Sequence, residues 1–413
     1  MNKGKDKRGV NIMKGNHQGI KPGRLIFGGI VVLIVVLNIL SWLSSAFTDA
    51  YITYIFPIWV NTYGRLTGLF PFSVGECLIV AGLVLVGAAV LFGPVALAVC
   101  LVKRSRQRKQ LSTVGCERWQ KSLKIFYTFF VWTLLIVCLI MTLNCFVLYH
   151  ASTFSETYFK ETKEACTEEN LVALWNEIAE NCNRLSARVE RDGAGRILYP
   201  GSILEDGRSG DMQEQAIESM QRLGRTYSRL SGYYPRPKSL FASDFMCQQY
   251  MEGYYFPFSM EANYNDVMYV MNKPSSMCHE LAHLHGYILE DEANFISFLA
   301  CVESEDIYFQ YSGYLSVMNY VARELTYIME QDASFGERGY TITGILPQVQ
   351  QDNIFVLEED WERIEEKAIL ETETVDKAAD VFLDTTLKVN GVSDGMKSYS
   401  RVVQLLLCYY QQR

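Results

Sequence analysis

Three long stretches of this chain carry no charged side chain: Leu25–Thr48, Cys77–Val102 and Ile125–Ser155, the last with only the titratable His150. Each exceeds the ~20 residues that a helix needs to cross a bilayer. Inside hydrocarbon every backbone N–H and C=O must be satisfied within the segment, so such runs fold as helices. The first run is too long for a cleaved signal peptide and lacks a convincing small-residue cleavage site. The pattern predicts three transmembrane helices, over about 25–47, 77–102 and 125–150. They divide the chain into a basic N-terminal arm (1–24), a membrane domain (25–155) and a C-terminal domain (156–413).

Charge sets the expected orientation. Residues 1–124 hold 16 Lys and Arg against 4 Asp and Glu, which leaves 22 against 42 for the remainder. The basic residues flank the apolar runs: Lys3, Lys5, Lys7, Arg8, Lys14, Lys21 and Arg24 before the first, and eight more from Lys103 to Lys124 between the second and third. The intervening loop has only Arg65. Short basic flanks stay in the cytoplasm. The expected protein is therefore multi-pass in the cell membrane, with the lipid bilayer as a partner and the acidic C-terminal domain extracytoplasmic. No separate basic domain exists to bind nucleic acid.

The 49–76 loop is rich in aromatics: Tyr51, Tyr54, Phe56, Trp59, Tyr63, Phe70 and Phe72. Such a segment either lies in the outer membrane interface as an anchor or forms a lid over the membrane-facing side of the domain. The domain's cysteines (Cys166, Cys182, Cys247, Cys278, Cys301, Cys408) show no CxxC spacing and are read as small core residues.

Within 156–413, apolar residues recur at three- and four-residue steps over 160–190, predicting a helix, and 212–231 reads as a second helix ended by Gly232. Residues 239–271 are aromatic and strand-like. Helices are expected at about 276–285, 290–302 and 313–331, with a terminal helix from about Ser398. The expected fold class is α+β, mainly helical, with a small sheet.

Three of the five histidines lie in HELAHLH, positions 279–285. His279 and His283 are four residues apart, so on a helix both imidazoles share one face and can bind one Zn²⁺. Glu280 is rotated by about 100° from His279. There it can serve as general base toward a zinc-bound water, the arrangement of HExxH hydrolases. Pro274-Ser275-Ser276 is the expected helix start with a serine cap, and Gly286 the stop. His285 lies off that face and is read as a capping or surface histidine.

The segment EDEANFISFLA at 290–300 offers a third ligand. Here the chain resembles the gluzincins, HExxH metallopeptidases whose third ligand is a glutamate on the following helix, in the pattern E-x-x-A-[D/N]. Glu290, Ala293 and Asn294 match it, and the resemblance implies Glu290 as ligand with Asn294 supporting a ligand histidine. Glu292 is the alternative, since it shares a face with Phe295, Ile296 and Leu299. More narrowly, FPFSMEANYN (256–265), CHELAHLHGY (278–287), YSGYL (311–315) and the C-terminal SYSRVVQLLLCYY resemble a bacterial family of membrane-anchored proteins. That family is classed as a domain of unknown function and carries HExxH.

These readings predict a gluzincin-like zinc metallopeptidase domain following three membrane helices. Zn²⁺ would be held by His279, His283 and Glu290, and the substrate would be a peptide or protein at the cell envelope. Tyr399 and Arg401, with Tyr287 behind them, are candidates for stabilising the oxyanion. The strand before the HExxH helix either pairs with an extended peptide or belongs to the sheet core. Two other functions fit the motif: a non-catalytic zinc-binding sensor or scaffold, and a zinc hydrolase of a non-peptide envelope amide.

Overall fold

A computed structural model describes residues 22–159, 165–200, 211–332, 334–389 and 399–412. Three helices are long and apolar enough to cross a membrane: Pro22–Leu43, Val74–Arg108 and Val114–His150. Their outward faces are a continuous belt of exposed Leu, Ile, Val, Phe and Trp, a surface that water would not tolerate at this size. Polar contacts between them are few and local. Asn38 donates from Nδ2 to Thr142 Oγ1 at 3.2 Å, and Tyr127 donates to the Ala89 carbonyl at 2.8 Å. Such bonds hold helices together where lipid competes for every apolar contact.

The second span begins with Ser73, whose Oγ accepts from Glu76 N–H, and ends at Arg106 and Arg108, cations that suit a helix C-terminus. It starts against the C-terminal domain: Val74 and Gly75 N–H donate to the Glu261 carboxylate. The third span returns to the same end, where Asn144 Nδ2 donates to the Pro257 carbonyl. The basic turn between these two spans therefore lies at the end of the bundle away from the domain.

The 49–76 segment packs against the membrane-facing side of the C-terminal domain. Helical turns over Ser45–Tyr54, Phe56–Trp59, Val60–Gly64 and Arg65–Thr67 bury Tyr51, Ile52, Phe56 and Val60 in the main core of the domain. The opposite face leaves Tyr54 (75 %) and Leu69 (77 %) exposed. It is a floor whose upper side belongs to the domain. The hydrophobic core thus crosses the boundary expected near residue 155.

The domain is mainly helical, with few strands. Glu168–Ser186, Met212–Thr226, Lys273–His283, Glu290–Val302, Ile307–Gln331 and Tyr399–Gln412 pack around one core. Helices at Pro347–Asp352, Glu358–Lys367 and Thr372–Val389 had no sequence expectation. The sheet has three strands, β1 (Lys238–Ser239), β2 (Gly253–Phe256) and β3 (Glu261–Tyr264), in the order β1-β3-β2. β1 runs parallel to β3 and β2 antiparallel to it, with Gly253 opposite Tyr264 and Phe256 opposite Glu261. Lys238 and Glu261 form a buried ion pair in which Lys238 also donates to the Thr67 and Phe72 carbonyls, tying the sheet to the foot of the second span.

Candidate metal centre

The HExxH helix, Lys273–His283, starts about three residues before the expected Ser275–Ser276 cap. Proline is favoured in the first turn, so Pro274 sits inside the helix, and both serines bond back to the Asn272 carbonyl. Gly286 ends the helix as expected, in the left-handed region at φ +85°. That turn brings the Tyr287 carbonyl back over His283. A Cβ at Gly286 would also lie 3.1 Å from Ile52 of the floor segment.

The helix Glu290–Val302 follows and packs against it through Ala293, which is fully buried. The two imidazoles and one carboxylate converge. His279 Nε2 lies 3.0 Å from Glu290 Oε2, His283 Nε2 lies 3.9 Å from Glu290 Oε1, and the ligand atoms are all within 4.8 Å of one another. Each Nδ1 is anchored on the far side, His279 by Asn294 Oδ1 at 2.9 Å and His283 by the Tyr287 carbonyl at 2.6 Å. Those partners favour the tautomer with its lone pair on Nε2, facing the cluster.

Glu292 does not reach this cluster. It is buried, accepts from Phe154 N–H at 2.9 Å and from Ser155 Oγ at 3.3 Å, and faces Arg401 at 3.3 Å. Arg401 also pairs with Asp291 at 2.7 Å. This corrects the expectation for Arg401, whose guanidinium neutralises two buried carboxylates instead of facing a substrate. Tyr287 is buried, with the Arg229 guanidinium 3.9 Å from its ring centroid. The side chain of Tyr399 lies outside the described residues. His285 is neither a cap nor on the surface: its Nδ1 meets the Arg229 carbonyl at 3.0 Å and its ring stacks on Tyr234. Arg229, which also donates to the Ser152, His285 and Gly286 carbonyls, carried no sequence signal.

Glu280 is buried at the inner edge of β2. The Tyr255 N–H donates to its carboxylate, while its Oε2 is buried and has no hydrogen-bond partner. Gly253 is what allows this approach, since a Cβ there would lie 2.9 Å from Glu280 Oε1 and 2.5 Å from the Asn263 carbonyl. Glu252 stands nearby, its carboxylate accepting from Ser276 Oγ.

Burial lifts the Glu280 carboxyl to about 8, with the charge on His279 opposing and Glu290 and Glu252 adding to the rise. Burial opposes a charge on His279, but the Glu290 carboxylate overrides it and raises the imidazole to about 9. Burial also pushes Glu290 upward, yet the His279 hydrogen bond and charge win and hold it at about 2. Burial and the neighbouring His279 lower His283 to about 4. The cluster thus carries one proton between His279 and Glu290 at neutral pH, in the place where a cation would bind.

These residues fit a zinc ion. Zn²⁺ bonds of ~2.0–2.1 Å place tetrahedral ligand atoms about 3.3 Å apart, and the observed separations of 3.0 and 3.9 Å straddle that value. The donor set is two imidazoles and one carboxylate, the three-ligand set that leaves a catalytic zinc a fourth position, and the Glu290 side chain is 38 % exposed. The partnerless Oε2 of Glu280 costs desolvation energy unless a water or substrate group meets it.

Zinc must displace the His279 proton, so protons compete with the metal. Below a pKa of about 9 that competition strengthens with acidity, while His283 at about 4 and Glu290 at about 2 are already in their binding forms above pH 5. Apparent zinc affinity is expected to fall by up to about 100-fold from pH 8 to pH 6, tenfold per unit for the one proton displaced. Competition against a chromophoric chelator across that range measures it, and a flat profile would exclude the protonated His279–Glu290 pair.

Arg401 holds the charge of two buried acids. Replacing it with Met strands Asp291 and Glu292, whose side chains are 6 % and 1 % exposed. Breaking a buried pair costs ~3–5 kcal/mol, and the partial exposure of Arg401 reduces this to about 2–4. Burial and the Asp291 charge lift Glu292 to about 7, with Arg401 opposing. A carboxyl raised in this way favours the folded state at low pH and loses that contribution as pH rises through about 7. The defect in Arg401→Met should therefore be smallest near pH 5 and largest above pH 8, as read by thermal unfolding of the full chain.

Fold and cluster together define a mainly helical protein with three candidate membrane spans and a candidate mononuclear metal site. Residues 51–407 match the family described as protein of unknown function (DUF3810), and the chain belongs to that family. No curated protein and no solved structure matches it.

Proposed function

We propose that this protein is a membrane-anchored, zinc-dependent metallopeptidase of the gluzincin type, with its C-terminal domain on the extracytoplasmic side. The convergence of His279, His283 and Glu290 beside a buried Glu280 carries the reading. The orientation rests on the basic turn lying at the end of the spans away from the domain.

His279, His283 and Glu290 would hold the zinc, which supplies a Lewis acid that polarises a carbonyl oxygen and acidifies water. Glu280 takes a proton from the attacking water. It then delivers that proton to the amine nitrogen as the C–N bond breaks, so water's OH ends on the carbonyl carbon and its hydrogen on the leaving amine. Burial raises the Glu280 carboxyl in the metal-free site, which suits a group that both takes and returns a proton. Asn294 and the Tyr287 carbonyl keep the imidazoles in register through the cycle. Tyr399 is proposed for the developing oxyanion, from its place at the start of the C-terminal helix.

The test is cleavage of a peptide library by the full chain in detergent, with zinc present or stripped and with Glu280→Gln alongside. Zinc- and Glu280-dependent products support a peptidase. A zinc-loaded protein that cleaves nothing would return the site to a sensor or scaffold role.

A further inference from the structure

The candidate site sits against the membrane end of the domain, and one strand connects the two. The β2–β3 turn rests on the spans: Asn144 donates to the Pro257 carbonyl at 2.9 Å, and Tyr255 donates from its hydroxyl to the Asn144 carbonyl at 3.0 Å. Phe256 lies against Gly75, where an added Cβ would sit 2.8 Å from its ring. β2 therefore runs from Gly253, beside Glu280, to Phe256, at the foot of the second span.

β2 is also an edge. Its one strand partner among the described residues is β3. The Glu252 and Phe256 carbonyls accept from Asn265 and Met260 N–H, so the backbone groups of 252 and 256 point toward β3. Alternation then turns those of Gly253 and Tyr255 outward, and the Tyr255 N–H does meet Glu280. The unpaired side of β2 thus faces the candidate general base. An extended chain added there would lie with its backbone along Glu280. Four residues at ~3.3 Å each make β2 about 13 Å long.

The surface around this end is apolar and outward-facing. Phe241 is 84 % exposed although its N–H is bonded to Glu76 at the start of the second span, and Leu69 is 77 % exposed on the floor segment. These are positions for a bilayer interface to cover.

Resting on the peptidase reading, we propose that the substrate is a membrane-anchored polypeptide whose extended juxtamembrane segment adds to the edge of β2 and is cut within a few residues of the bilayer. A peptide rising from the membrane meets Phe256 first and Glu280 one strand later. A lipid-linked amide without an extended backbone has nothing to pair with the Gly253 backbone groups and the Tyr255 carbonyl, which favours a polypeptide.

The experiment uses the full chain, loaded with zinc, in phospholipid vesicles. Its probes are one unstructured peptide sequence offered free and offered tethered at either end to an apolar helix of about 20 residues. Spacers of about 2 to 16 residues separate the sequence from the helix, and products are located by mass spectrometry. Tethering concentrates substrate at the surface, so anchored probes should be cut at least about tenfold faster than free peptide. The specific mark is position: cleavage should cluster about 4 to 8 residues from the helix whatever the spacer, one to two lengths of β2. Equal rates for free and tethered peptide, or cut sites that drift with spacer length, would overturn the juxtamembrane assignment and leave the peptidase standing. Zinc-loaded protein that cleaves neither probe would overturn both.

Discussion

Glu280→Gln is expected to keep its zinc and its fold while losing peptide hydrolysis by about 10²–10⁴-fold. The amide has the shape of the carboxylate and can still accept from the Tyr255 N–H, so the approach of β2 is preserved. It does not direct a ligand atom into the His279–His283–Glu290 cluster, so metal content should match the wild type. What it lacks is the capacity to take a proton and return it. Replacing a buried ionisable group by a neutral one also removes a desolvation penalty, so thermal stability should hold or rise slightly. Zinc content, melting temperature and turnover of one peptide, measured on the same preparation, separate these effects. Hydrolysis within tenfold of the wild type would remove Glu280 from the role of general base.

The second large effect concerns the carboxylates of the Glu290 helix. Glu290→Ala removes the one carboxylate that reaches both imidazoles, and zinc affinity should fall by more than the ~10–100-fold that losing a ligand's supporting partner costs. Asn294→Ala should show that smaller loss, because it frees the His279 ring without removing a ligand. Glu292→Ala should leave zinc affinity unchanged and instead destabilise the fold, since it takes an acceptor from Phe154 N–H and Ser155 and a partner from Arg401. Isothermal titration of the three variants with zinc orders them. A larger zinc defect in Glu292→Ala than in Glu290→Ala would reverse the assignment.

The residues differ in how much of this could be read before folding. The spans are legible because bilayer crossing is a local property, a length of chain without charge, and the helices at Pro22–Leu43, Val74–Arg108 and Val114–His150 follow those runs. The His279–His283 pair is equally local, since a four-residue step on one helix brings the rings to centroids 4.7 Å apart. Glu290 and Glu292 are harder, because both are acids in the same first turn and only tertiary packing decides which faces the imidazoles. That decision is made by residues far away in sequence: Phe154, Ser155 and Arg401 draw Glu292 to the other side. The same distance hid Arg229 and the Lys238–Glu261 pair, whose partners lie in other elements. The aromatic loop announced an apolar surface without saying which residues would face inward. Tyr51, Ile52, Phe56 and Val60 turn into the domain because core helices wait there, and Tyr54 and Leu69 do not.

That shared core also dictates how the protein must be handled. A fragment starting at residue 156 would lack seven buried side chains of its own interior, Tyr51, Ile52, Phe56, Val60, Val147, Leu148 and Phe154, so the full chain is the species to study. The most direct test of the account is the zinc content of that full chain, purified in detergent without chelator and measured by elemental analysis against protein concentration. About one equivalent of zinc per chain, lost in Glu290→Ala and retained in Glu280→Gln, is the expected result. A folded wild-type protein that holds no zinc, and takes up none at pH 8 when zinc is supplied, would contradict it.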